Sequence, residues 1–263
     1  MILRLNSPSR LISVVIDQTN LLPGYEALVA SIPFRRRALP FAFTIFRPDE
    51  ISGSQNQIEN EFFALVTRLL RVRGLNPIIL LDRGYADVKI IQLLKRLQVH
   101  FIIRVPRNVF VELPDYSGTL AQLMCPGRWA AIEYQYYVRE SVNLTTFWGK
   151  DKQGNSELIC LVSDLTPNLA RQRYRLRMHI EEGFKDIKDA LGFNYLRLKV
   201  AISERLERVL LVVMVATITA GYLYSEALVY APQVTKHPED QSFVRLVVLV
   251  YQFLWRYRAS GFG

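Results

Sequence analysis

A chain of 263 residues, half of them hydrophobic and 11% aromatic, can bury a sizeable core and is too apolar to be disordered. Its formal net charge of +9 points to an anionic partner, nucleic acid first, with a solubilising basic surface as the alternative. Cys125 and Cys160 have no CxxC or Cys/His company, and His100, His179 and His237 are far apart, so neither a disulfide framework nor a zinc site is signalled.

From Met1 to Leu22, Arg4, Asn6, Pro8 and Arg10 interrupt the apolar residues, which is not a secretory signal, and an intracellular location is expected. Leu11 to Ile16 is a β-branched apolar run that reads as a buried strand ending on Asp17, with Gln18-Thr19-Asn20 and Pro23-Gly24 as turn material. Leu39 to Phe46 reads as a further strand closed by Pro48. Asn56 to Arg73 has helical spacing of Ile58, Phe62, Leu65, Val66, Leu69 and Leu70, and Gly74 is its stop. Pro77 to Leu81 is again a continuous apolar strand and ends on Asp82. A helix over Asp87 to Leu97 and a strand over His100 to Val105 complete a β-α-β unit, the grammar of a sheet with parallel neighbours. Two such strands place both aspartates along one sheet edge, where open α/β folds build their sites.

From Pro106 the texture changes to short aromatic or alternating runs, Trp129 to Val138, Thr145 to Gly149 and Leu158 to Val162, with a turn at Lys152 to Asn155. Residues 106–165 are therefore expected to form a β-rich insertion, with 1–105 and 166–263 as the core. Tyr174 to Gly192 reads as a helix. At 100° per residue, Leu176, Ile180, Phe184, Ile187 and Leu191 fall within roughly 80°, and Tyr174, Arg177, Glu181 and Lys188 within an adjoining sector of roughly 60°. The uncharged run Val209 to Tyr224 is shorter than the roughly 20 residues that cross a bilayer, so it reads as a buried helix. A last helical stretch spans Phe243 to Tyr257.

Three carboxylates stand out: Asp17 and Asp82 after strands, and Glu181 among cations. Oxygen donors suit hard divalent cations, and three acids can hold two ions for an in-line displacement at phosphorus. The plainer readings are loop-entry acids for the aspartates and a solvated face for the polar stripe.

The order strand-Asp, strand-Asp, β insertion, helix-Glu, with Tyr174-x2-Arg177-x3-Glu181-x6-Lys188, resembles the DDE insertion-sequence transposases of the YREK group. Ile16-Asp17-Gln18-Thr19 and Leu81-Asp82-Arg83-Gly84 resemble that family's two aspartate segments. The resemblance implies an RNase H-like α/β core, a mixed sheet flanked by helices, with the β-rich insertion between the second Asp and the Glu. It implies Asp17, Asp82 and Glu181 as catalytic, metal-binding residues using Mg²⁺, with Mn²⁺ as a substitute. Tyr174, Arg177 and Lys188 would hold DNA phosphates. Apart from the resemblance, Arg104 is a further candidate phosphate contact, against the alternative of a solvated arginine. Trp148 or Trp129 would stack on a flipped base, against the alternative of a core tryptophan. The implied activity is metal-dependent cleavage of transposon ends and strand transfer in a cut-and-paste reaction. A structure-specific nuclease of the same fold and a non-catalytic DNA-binding remnant are the alternatives. A dimer assembled on DNA, no membrane, and a cytoplasmic, nucleoid-associated location are further expectations. The family's N-terminal end-recognition segment has little room before Asp17, so a truncated copy, an internal start or a partner that supplies it is expected.

Overall fold

The structure, a computed structural model, describes residues 11–34, 37–51, 54–123, 125–134, 140–150, 153–177 and 203–230. In chain order these form β1 (Leu11–Leu22), β2 (Tyr25–Phe34), β3 (Arg37–Phe46), α1 (Gln55–Arg71), β4 (Asn76–Leu81), α2 (Val88–Arg96), β5 (His100–Val105), β6 (Phe110–Leu113) and β7 (Tyr116–Thr119). There follow α3 (Leu120–Leu123), β8 (Gly127–Tyr134), β9 (Glu140–Lys150), β10 (Ser156–Ser163), α4 (Pro167–Tyr174) and α5 (Ser203–Tyr230). They divide into two units: described residues 11–17 with 54–177, and 18–51 with 203–230.

In the first unit, β1, β4 and β5 run parallel, with Val15 opposite Leu80 and Leu80 opposite Ile102. β10 joins antiparallel to β5, and the order continues β1-β4-β5-β10-β9-β8-β6-β7. The parallel strands are apolar at consecutive positions because both of their faces are covered: Val14 to Ile16, Ile78 to Leu81 and Phe101 to Ile103 are completely buried. α1 buries Phe62, Phe63, Val66 and Leu70, and α2 buries Val88, Ile90, Ile91 and Leu94. Each helix starts on a side-chain cap, Ser54 accepting from the Asn56 amide and Asp87 from the Lys89 amide. Gly74, at φ 68°, takes the left-handed turn that ends α1. The expected class, a mixed sheet with flanking helices, is the one observed.

Several local expectations are corrected. β1 does not stop at Asp17; it runs on to Leu22, and the reversal falls at Pro23-Gly24, where Gly24 has φ 80°. Gln18 is not turn material, since its amide donates to Glu26 of β2. The run Tyr25–Phe34, unassigned from sequence, is the strand β2, antiparallel to β3. Tyr174 does not begin a helix: it closes α4, and Arg175–Arg177 is a 3-10 turn. Tyr174 and Arg177 still share a side, because residues i and i+3 eclipse at three residues per turn. The rest of the predicted helix, with Glu181 and Lys188, lies outside the described residues.

In the second unit, α5 packs Leu206, Leu210 and Met214 against Leu21, Tyr25, Ala27, Val29 and Ile45. The buried-helix expectation holds for this face only, because Leu211, Val212 and Val215 are more than half exposed. Among the described residues, no helix is long and apolar enough to cross a membrane.

Candidate active site

The parallel register of β1 and β4 brings the two aspartates together. Val15 faces Leu80, so two residues further on, on the same side of the pleat, Asp17 reaches the level of Asp82. β4 ends at Leu81, and the chain enters a 3-10 turn over Arg83–Tyr85, closed by the Tyr85 amide donating to the Asp82 carbonyl at 3.0 Å. Asp82 is the cap residue of this turn, yet its side chain makes no capping bond. Asp87 behaves differently: its carboxylate is taken by the Lys89 amide at 2.9 Å. The loop-entry reading thus suits Asp87 and leaves the Asp82 carboxylate for another partner.

That partner is Arg177. One guanidinium nitrogen, Nη2, lies 3.1 Å from Asp82 Oδ2 and 3.9 Å from Asp17 Oδ1. The first is a charge-assisted hydrogen-bond distance, the second a looser ion pair. Arg177 is 5% exposed, so a desolvated cation stands between two carboxylates on adjacent strands. The other oxygen of Asp82, Oδ1, is buried and has no hydrogen-bond partner among the described residues.

Around this centre are two buried phenols. Burial pushes the Tyr174 hydroxyl up to about 12, with Asp82 adding to the rise and Arg177 and Arg104 opposing it. Burial also raises Tyr85 well above the usual phenol range, and the charges of Glu59, Asp17 and Asp82 add to it. Both phenols are therefore protonated at neutral pH. The Tyr85 ring sits edge-on to Phe63 at 6.0 Å between centroids. Glu59 on α1 is also buried, and desolvation raises its carboxyl although Gln55 donates to it at 3.0 Å.

Arg104 projects from β5 and pairs with Glu157 of β10 at 2.6 Å, while Arg83 lies 3.8 Å from the other oxygen of the same carboxylate. Trp148 on β9 is 49% exposed, so the core reading does not apply to it. Trp129 is half-buried on β8, and its indole folds over Gly127, where an added Cβ would lie only 2.0 Å from the ring. The structure thus brings Asp17, Asp82, Tyr174, Arg177 and Arg104 into one neighbourhood. Among the described residues no three His, Cys, Asp or Glu side chains converge.

Glu59, Tyr85 and Glu157 were not singled out from the sequence. Glu59 carried a readable signal: it is in phase with the buried Phe62, Phe63, Val66 and Leu70 of α1, a carboxylate on the apolar stripe. Glu157 carried none, because its partners Arg104 and Arg83 are met only through the pairing of β10 with β5.

The donor set fits a hard divalent cation. An orphaned, buried carboxylate oxygen beside a second carboxylate is the kind of all-oxygen site such ions take, and the buried guanidinium shows that the pair already stabilises a cation there.

Comparison with curated proteins gives no match. Among solved structures, the chain is similar to a piggyBac transposase described by cryo-EM in a synaptic complex with hairpin DNA, with a TM-score of 0.46 and 12% identity. That similarity covers 94% of this chain and 54% of the other, so the chain spans about half the length of that relative. Residues 50–218, more than half of the chain and including Asp82 and the Tyr174 to Lys188 motif, match the transposase DDE domain, and the chain belongs to that family.

Proposed function

We propose that this chain is a DDE transposase of the YREK group, acting on DNA with Asp17, Asp82 and Glu181 as its catalytic carboxylates. The observation that carries this reading is the meeting of Asp17, on β1, and Asp82, directly after the neighbouring parallel strand β4, at one buried cation. DDE transposases generally use divalent metal ions. Mg²⁺, with Mn²⁺ as a substitute, is the ion proposed, and when bound it activates the attacking oxygen and stabilises the leaving oxygen of a phosphodiester exchange.

The protein's own groups do the rest. Asp17 on β1 and Asp82 directly after β4 supply oxygen donors from two strands held in register by a buried core. The protonated Tyr174 hydroxyl donates to a phosphate oxygen, and Arg177, Lys188 and Arg104 grip the strand by charge-assisted hydrogen bonds. Trp148, half exposed on β9, offers a stacking face to a base beside the cleaved end. Residues 106–165 act as the insertion that presents it. Water attacks first and leaves a 3′-hydroxyl; that hydroxyl then attacks target DNA, so both steps exchange one oxygen for another on phosphorus. We propose that the active assembly on DNA is a dimer, and that the outcome is cut-and-paste movement.

The test is cleavage and joining of a labelled DNA end with Mg²⁺ or Mn²⁺, comparing the wild type with Glu181→Ala. Cleaved and joined products from the wild type, both lost in the variant, are expected. Cleavage without joining would make the chain a nuclease, and joining that persists in Glu181→Ala would remove Glu181 from the site.

A further inference from the structure

We infer that Arg177 is a stand-in cation for the carboxylate pair: it offsets part of the negative charge of Asp17 and Asp82 when no divalent ion is bound and competes with that ion for them. The inference rests on the site reading above and adds a second, metal-linked role to Arg177 beside phosphate contact.

The geometry is specific. A single nitrogen serves both carboxylates, at 3.1 and 3.9 Å, and the side chain is almost wholly withdrawn from water. A guanidinium in such a place is stabilised by its counter-ions, and the two carboxylates, within reach of one atom, repel each other without it. Arg177 therefore lowers the repulsion within the pair and holds the two carboxylates together. Asp82 Oδ2 is given to Arg177, while Oδ1, which is buried, has no hydrogen-bond partner among the described residues. A divalent ion would draw its oxygens from the same two carboxylates, which are 26% and 35% exposed. It carries twice the charge of the guanidinium, and the two cations cannot keep the same oxygens at full strength, so binding drives Arg177 away from the pair. A displaced guanidinium needs an anion, and a DNA phosphate, which it can engage in bidentate fashion, is the natural acceptor. Arg177 is thus a positioning residue that ties occupancy of the carboxylates to the presence of substrate.

Titration of the full chain with MnCl₂ without DNA, read by the EPR signal of free Mn²⁺, tests this. Arg177→Gln is expected to bind Mn²⁺ at least about tenfold more tightly than the wild type, since it removes the competing charge. Its melting temperature should be lower without Mn²⁺ and should rise on adding it by several degrees more than the wild type's. Arg177→Lys keeps the charge without the planar fork and should fall between the two; it decides the matter if Arg177→Gln does not fold. Affinity in the variants equal to or weaker than the wild type's, with Mn²⁺ binding still lost in Asp82→Asn, would overturn the competition alone. Binding unaffected by Asp82→Asn would overturn the site reading and the competition together.

Discussion

Replacing Glu157 with Gln should weaken the fold and strengthen DNA binding at the same time. Glu157 takes Arg104 at 2.6 Å and lies 3.8 Å from Arg83, with 24% of its side chain exposed against 16% for Arg104 and 54% for Arg83. A hydrogen bond to a charged partner contributes about 1.5–3 kcal/mol; with both Glu157 and Arg104 partly wet, the loss should fall at the low end, about 1–2 kcal/mol. The same change releases two arginines near Asp82 from the carboxylate they share. If they then engage DNA, the slope of log affinity against log salt steepens by about 0.9 for each additional phosphate neutralised. Urea unfolding and fluorescence anisotropy with a short duplex, over about 50 to 300 mM NaCl, would read both effects. Unchanged stability with an unchanged or shallower slope would refute the idea that Glu157 restrains these arginines.

Trp148→Ala should reduce affinity for a DNA end by roughly 1–3 kcal/mol, the worth of one base stacked on an aromatic side chain, and leave the melting temperature almost unchanged because the indole is half exposed; a large loss of stability instead would place it in the fold. Tyr174→Phe should flatten the alkaline limb of the stability curve. The phenol is raised from about 10 to about 12, so its contribution is intact below pH 10 and is lost as pH rises towards 12, roughly 2–3 kcal/mol in all. An unaltered alkaline limb in the variant would argue against a buried phenol. Of the two cysteines, exposed Cys125 should react rapidly with a thiol reagent at neutral pH, whereas Cys160, buried and raised to about 11, should react only on unfolding. Equal rates for both would contradict the pairing of β10 within the sheet.

Much of the fold was legible in the chain because burial on both faces writes continuous apolar runs. Ile78 to Leu81 and Phe101 to Ile103 announced their strands in this way, and Asp82 was found at the end of one of them. Asp17 was found as well, but its setting was misread: a polar Gln18-Thr19-Asn20 segment looks like a turn, and only the position of Gly24 fixes where the strand reverses. The motif put Tyr174 and Arg177 on one side, though it did not show that α4 begins at Pro167 or that a 3-10 turn follows it. What no local pattern could show is long-range pairing. Glu157 meets Arg104, and Tyr85 comes under the charge of Glu59, through interactions between residues far apart in sequence. The same holds for Arg177: its motif implied phosphate contact, and nothing in it showed that the guanidinium also faces two aspartates.

The central claim is that Asp17 and Asp82 work as one site, and it is tested most directly by cleavage of a labelled DNA end with Asp17→Asn, Asp82→Asn and the double variant, each shown to be folded. Each single change should reduce cleavage by at least about a thousandfold, and the double variant should be no worse than either, since groups that act as a unit are not additive. Cleavage within about tenfold of the wild type in either single variant, or losses that multiply in the double, would contradict it.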